Sequence, residues 1–265
     1  MGLVETEAIV LRTYKLSEAD KIAVCLTRQA GLVRGVARGA RRLKSRFGAG
    51  LEPFTHVNLT YFEKEGRELV TLSRAEIVRS HFAWASSAEA LPVLGYLCEL
   101  TIEFAPPHDT DERLFRMVRA CMEAAAENPS ALASVAVYYE LWVLRLAGFL
   151  PELRRCGGCG RGLPAEGRKV YATPEGVLRC EGCAGSGDYA FDPEAHAQMR
   201  EMQAKGPAVW AESFGRMSAG GRQRLSELTR RLLRRALEKD LRSQGAAAAA
   251  SGPAEARPGA GPGAL

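Results

Sequence analysis

The chain of 265 residues is longer than one compact core usually needs, and its 46% hydrophobic content can fill two or three. Its 36 lysines and arginines face 31 carboxylates, a net charge of +5, so strongly basic stretches stand out against a balanced background. No apolar stretch approaches the roughly 20 residues of a membrane span, and MGLVETEAIV carries acids where a secretory leader carries cations, which predicts a cytoplasmic protein away from membranes.

The first 80 residues follow a two-residue period. Ala8, Val10 and Arg12 alternate with Ile9 and Leu11; Ile22, Val24 and Leu26 with Lys21, Ala23 and Thr27; Val57, Leu59 and Tyr61 with Asn58 and Thr60. With Gly31 to Gly39 and Leu69 to Val78, separated by turn residues, this predicts five short antiparallel strands. Five such strands suggest a small barrel, and the OB-fold is the five-stranded barrel most used for single-stranded nucleic acid.

Leaving the end of the third strand and connecting it to the fourth, the chain reads RGVARGARRLKSR: Arg34, Arg38, Arg41, Arg42, Lys44 and Arg46 with no carboxylate, small residues at Gly35, Gly39 and Ala40, and one apolar Leu43. A solvated basic loop accounts for such a run. So does a site for a polyanion whose phosphates recur along a backbone, because no acid cancels the field. Tyr14 and Phe62 are stacking candidates, with core or edge-strand roles as the alternative.

After Ser80 the period becomes helical. One helix is predicted from Ser86 or Ser87 to Pro106-Pro107, a second from Thr110 or Asp111 to Asn128-Pro129, a third from Ser130 to Gly148, and a late one from Ser218 to about Leu241. The late helix puts Leu225, Leu228, Leu232, Leu237 and Leu241 near one face; Arg222, Arg224, Arg231, Arg235 and Arg242 lie largely elsewhere, as solvated surface or DNA contacts. From Gly245 the Ala, Gly and Pro composition predicts a disordered tail. The expected organisation is multidomain α+β: a barrel at 1–80, a helical bundle at 81–150, a zinc-binding segment at 151–188, helices completing the bundle at 189–244, and the tail at 245–265.

The inserted segment holds Cys156-Gly-Gly-Cys159 and Cys180-Glu-Gly-Cys183. Two such knuckles supply the four sulfurs that a tetrahedral zinc ribbon uses, while unrelated thiols or a redox pair remain the alternatives. An all-sulfur set leaves no open position for water, so the metal would hold structure rather than perform chemistry. Cys25, Cys98 and Cys121 sit singly among apolar neighbours, as buried free thiols do. No P-loop is present, neither knuckle follows a proline and no histidine stands two residues before a Glu as a zinc deaminase requires, and Glu63, Glu65 and Glu68 fall on a hairpin where charged turn residues are common. Nucleotide hydrolysis has no visible seat, and the expectation is a protein that is not an enzyme, with a nuclease as a distant alternative.

Three stretches resemble the RecO family of bacterial recombination mediators: EAIVLRTYKLSEADKIAVCLT at Glu7 to Thr27, GVARGARRLKSRFGAGLEPF at Gly35 to Phe54, and AGFLPELRRCGGCG at Ala147 to Gly160. The likeness is most specific over A-x-G-A-R-R-x-K-S-R-F at Ala37 to Phe47. It implies an OB-fold, a helical domain and a zinc-binding segment in a protein that binds single- and double-stranded DNA, anneals complementary strands, and with RecR helps RecA displace single-strand binding protein. The family's DNA-contacting barrel positions correspond to Arg38, Arg41, Arg42, Lys44 and Arg46, and its helical domain receives the acidic C-terminal tail of the single-strand binding protein. A reading from another class is a zinc-ribbon adaptor that binds chiefly proteins, for example in transcription.

Overall fold

The structure, a computed structural model, describes residues 2–64, 66–105, 109–163 and 169–250. Five strands, β1 (Gly2–Lys15), β2 (Lys21–Thr27), β3 (Gly31–Ala37), β4 (Thr55–Glu63) and β5 (Leu69–Ser80), pair in the order β1-β2-β3-β5-β4, and β4 returns to β1 to close the ring. β1 spans two neighbours: its first half pairs with β4 and its second with β2, and a register shift between Val10 and Arg12 bends it from one to the other. Two expectations are corrected here. β1 and β5, at 14 and 12 residues, are not short. The β3–β5 pair is parallel, through Arg34 opposite Leu69 and Val36 opposite Thr71. A ring with an odd number of strands cannot alternate direction throughout, so closure itself requires one parallel pair.

Both faces of the first strands are buried, which the alternating pattern did not foretell. Ala8, Val10, Cys25, Leu59 and Leu72 fill the barrel, whereas Ile9, Leu11, Val24, Leu26 and Leu32 join the core beneath the helices. The barrel is narrow at Gly35, where an added Cβ would stand 2.3 Å from Leu72 Cδ2 and 3.0 Å from Val70 Cγ2. Only a residue without a side chain lets β3 and β5 approach so closely.

The helices start and stop largely where the sequence indicates. After the single turn α1 (Phe82–Ala85), α2 (Ala90–Phe104) begins later than expected, with Ser87 Oγ accepting from the Ala90 amide at 3.2 Å. Pro106 and Pro107 lie outside the described residues. α3 (Glu112–Glu127) is capped by Asp111, whose Oδ1 accepts from the Leu114 amide at 3.0 Å. A 3₁₀ turn at Pro129–Ala131 precedes α4 (Leu132–Leu146), which ends before Gly148 at φ 77°. Arg28, on the barrel, joins Glu7 at 3.0 Å and Glu112 of α3 at 2.6 Å, so an ion-paired rim borders the shared apolar contact.

The cysteine-bearing segment forms a small sheet, β6 (Val170–Ala172), β7 (Leu178–Cys180) and β8 (Tyr189–Phe191), in the order β7-β6-β8. Three helices follow: α5 (Pro193–Glu201), α6 (Pro207–Gly215) and α7 (Ala219–Ala250). The first two were not placed by apolar periodicity, yet Asp192-Pro193 and Gly206-Pro207 each set a proline at the first helical position, a start signal in their own right. α6 lays Trp210, fully buried, against Tyr138 of α4, with ring centroids 5.4 Å apart. α7 starts at the expected place, where Ser218 Oγ accepts from the Gly221 amide. It continues to Ala250, past the tail boundary set at Gly245, through a run of alanine with the highest helix propensity. The side chains of Leu241 and Arg242, and residues 251–265, lie outside the described residues. No helix among the described residues is long and apolar enough to cross a membrane.

Candidate nucleic-acid interface and metal centre

The basic run leaves β3 at Ala37, two residues earlier than expected, because Gly39 turns at φ 73°. It then crosses one end of the barrel to β4, held at three points. The Gly39 amide donates to Asp20 Oδ1 at 2.8 Å; the Arg41 amide donates to the Ala19 carbonyl at 3.0 Å. Arg41 Nη1 reaches the Ser17 and Glu18 carbonyls at 3.0 and 3.1 Å, clasping the loop to the β1–β2 turn. Further on, Phe47 and Leu51 insert into the barrel, both 2% exposed, and Arg46 lies over the Phe47 ring with Nη2 on the Leu72 carbonyl. The segment is therefore a fixed rim rather than a tether.

All six predicted cations, Arg34, Arg38, Arg41, Arg42, Lys44 and Arg46, are exposed. Among the described residues none of them forms an ion pair with a carboxylate; Arg41 and Arg46 bond carbonyls instead. Arg34 stands apart from the loop, on β3 opposite Val24 and Leu69. Their field thus remains available to a polyanion. Tyr14 is exposed, with Arg12 Nη1 at 3.5 Å from its hydroxyl, while Phe62 is half-buried on β4.

The late arginines stay at the surface, as one of the two alternatives has it, and also bond neighbouring segments. Arg222 bonds the Gly215 and Met217 carbonyls, Arg224 pairs with Asp192, Arg231 lies over Tyr189, and Arg235 bonds the Glu175 carbonyl. Four cations of one helix fasten the small sheet and its neighbours. Except for Arg222, whose partners precede its own helix, these partners are distant in sequence, and periodicity alone could not find them.

The four sulfurs of Cys156, Cys159, Cys180 and Cys183 lie within 4.8 Å of one another. Among the described residues no carboxylate cluster gathers in this way; Glu63 and Glu68 are exposed and Glu65 lies outside those residues. Cys156 is buried and its Sγ accepts from the amides of Cys180 and Gly158, each at 3.3 Å. These backbone donors, Cys180 first, pull its thiol down to about 6. Cys183 is pushed up to about 12, chiefly by its hydrogen bond to Cys159. Four sulfurs this close cannot all ionise without a cation, and the amides already favour a thiolate at one corner. The turn is shaped for them: a Cβ on Gly158 would stand 3.1 Å from Cys183 Sγ, and Gly160 adopts φ 69°. The residues fit a metal ion. The remaining thiols fit none: Cys25 and Cys98 are buried singly, and desolvation pushes each up to about 12.

Two family profiles cover the chain, "Recombination protein O N terminal" over residues 1–81 and "Recombination protein O C terminal" over 85–245. Similar proteins carry the name DNA repair protein RecO. That of Nocardioides sp. (strain ATCC BAA-499 / JS614) is 36% identical over 210 residues, 78% of this chain and 85% of its own length. That of Bifidobacterium longum subsp. infantis is 38% identical over 185 residues, 68% of this chain and 74% of its own length. The Koribacter versatilis protein is 36% identical over 161 residues, 61% of this chain and 65% of its own length.

Proposed function

The chain belongs to the recombination protein O family of DNA repair proteins, and on that premise we propose that it binds single- and double-stranded DNA and anneals complementary strands during recombinational repair in the cytoplasm. The observation that carries this reading is the clasped loop with its five exposed cations, and Arg34 on the strand before it, all unpaired to acid. We read the ring of five strands as an OB-fold and the helices as a bundle interrupted by a zinc ribbon, with domain boundaries near 80, 150, 188 and 244. Annealing needs no turnover of cofactor. Two strands repel one another through their phosphates; a surface that neutralises both lets them meet while their bases stay free to pair.

The metal supported by an all-sulfur set at this spacing is zinc, held by Cys156, Cys159, Cys180 and Cys183. Zinc there supplies a tetrahedral tie. No group in the chain is assigned a catalytic step. The test is annealing of complementary oligonucleotides in the presence of a magnesium chelator and without nucleotide. Acceleration over the spontaneous rate is expected; a requirement for nucleotide would overturn the reading, and absence of acceleration together with weak DNA binding would favour the zinc-ribbon adaptor.

RecR, RecA and single-strand binding protein are the partners the family implies. For the acidic and apolar tail of the last, we propose a seat beside α4. There a cleft of ≈ 390 Å³ lined by Arg113, Arg145, Leu150 and Glu152 adjoins a second of ≈ 230 Å³ lined by Phe104, Asp111, Leu114 and Val143, and Leu146 borders both. The two arginines, partly offset by Glu152 and Asp111, and the apolar side chains of the second cleft support such a tail there. A tail peptide should bind the intact protein with a dissociation constant on the order of micromolar, since few contacts must offset its ordering. Arg113→Ala with Arg145→Ala should weaken it by roughly ten-fold. Equal binding by a peptide that lacks its terminal apolar residue would reduce the contact to general attraction between opposite charges.

A further inference from the structure

Leu43, at the tip of the basic loop, is 102% exposed, more than any other large apolar side chain of the described structure. Single exposed leucines are ordinary. The loop that carries this one is tied to a turn with exposed apolar side chains of its own. The Arg41 clasp joins its loop to the β1–β2 turn, which presents Leu16 at 48% exposure, and β1 presents Tyr14 at 47% just before that turn. Leu43 is flanked by Arg41, Arg42 and Lys44, and the loop is anchored on both sides, by Gly39 to Asp20 and by Phe47 in the barrel. An apolar tip among unpaired cations, on a backbone already ordered, has the form of the wedges that DNA-binding proteins insert between base steps. The cations would hold phosphates on either side while the tip meets the apolar faces of the bases.

We propose that Leu43 is a base-contacting wedge that unstacks nucleic acid held by the basic loop, with Leu16 and Tyr14 forming the apolar surface beside it. This rests on the DNA-binding reading above and adds to it a preference for unpaired or poorly stacked bases, at which insertion is least costly. Phosphate neutralisation alone would favour the denser charge of the duplex. A wedge reverses that preference and keeps captured strands unstacked and ready to pair.

The experiment uses the full chain with oligonucleotides carrying 2-aminopurine, whose fluorescence rises when it unstacks, and compares wild type with Leu43→Gln and Leu43→Met over a series of salt concentrations. Wild type should raise the fluorescence. Leu43→Gln, similar in length but polar, should lower that rise by roughly five-fold and slow annealing, with the salt slope unchanged because every phosphate contact remains. Leu43→Met should restore most of the signal. An unchanged rise in Leu43→Gln overturns the wedge, and so does a fall in both signal and salt slope, which would mean that the substitution had only disordered the loop. Salt-dependent binding by wild type without any rise overturns the wedge and leaves the DNA-binding reading intact; no salt-dependent binding at all removes both.

Discussion

Cys156→Ser or Cys180→Ser is expected to abolish metal binding and to destabilise the protein by several kcal/mol, the largest effect of any single substitution considered. The reason lies in how little regular structure the cysteine-bearing segment has of its own. Its three strands have three residues each, too few to form a sheet unaided. A metal bound by such a segment contributes its binding energy directly to folding. The consequences should spread. Leu163, Ala172, Leu178 and Phe191 belong to the same apolar core as α4 and α7, Gly176 packs under Leu232, and Arg235 of α7 bonds the Glu175 carbonyl. Elemental analysis of reduced protein should give one zinc per chain, and a chelator should lower the melting temperature of wild type while leaving either variant unmoved. A stoichiometry near zero in wild type, or a variant as stable as wild type, would refute the assignment. The barrel's own interior contains no residue of this segment, so zinc-depleted protein should retain salt-dependent DNA binding.

Replacing Arg38, Arg41, Arg42 and Lys44 together with Ala should weaken single-stranded DNA binding and lower the slope of log affinity against log salt by about three, since each lost phosphate contact removes about 0.7. Annealing should fall in parallel because it rests on the same neutralisation. The structure divides the four. Arg38, Arg42 and Lys44 are exposed cations whose loss should register in the slope, by about two together. Arg41 already donates to the Ser17 and Glu18 carbonyls, so Arg41→Ala should also free the loop from the β1–β2 turn. Its signature would be a loss of affinity larger than one slope unit explains. Binding at several salt concentrations is the measurement; a slope unchanged in the quadruple variant would remove the loop from the interface.

Much of the site was readable because its signals are local. A cation run without acids is a property of a dozen consecutive residues, and two knuckles of matched spacing bring their own turn geometry. Helix ends were legible for a similar reason: Asp111, Gly148 and Ser218 satisfy or relax backbone groups within a few residues of themselves. α5 and α6 escaped because their apolar faces are short, although the prolines that open them were in view.

What the sequence determined by itself was the kind of each segment: strands by their two-residue period, helices by caps and spacing, a cluster of four sulfurs by two matched knuckles, an acid-free basic loop by composition. Tertiary structure alone decided how the segments meet. Closure of an odd ring made β3 and β5 parallel and confined position 35 to glycine. Packing of the barrel on α2 and α3 buried the second face of β1 and β2, so that two chain segments share one core. Three arginines of α7, though still exposed, were drawn onto the small sheet and the start of α5. Arg41 became a clasp because the β1–β2 turn happened to offer two carbonyls beside it. Each of these joins residues separated by twenty or more positions. Local propensity carries no information about such pairs; only the burial of apolar surface, acting on the whole chain at once, selects them.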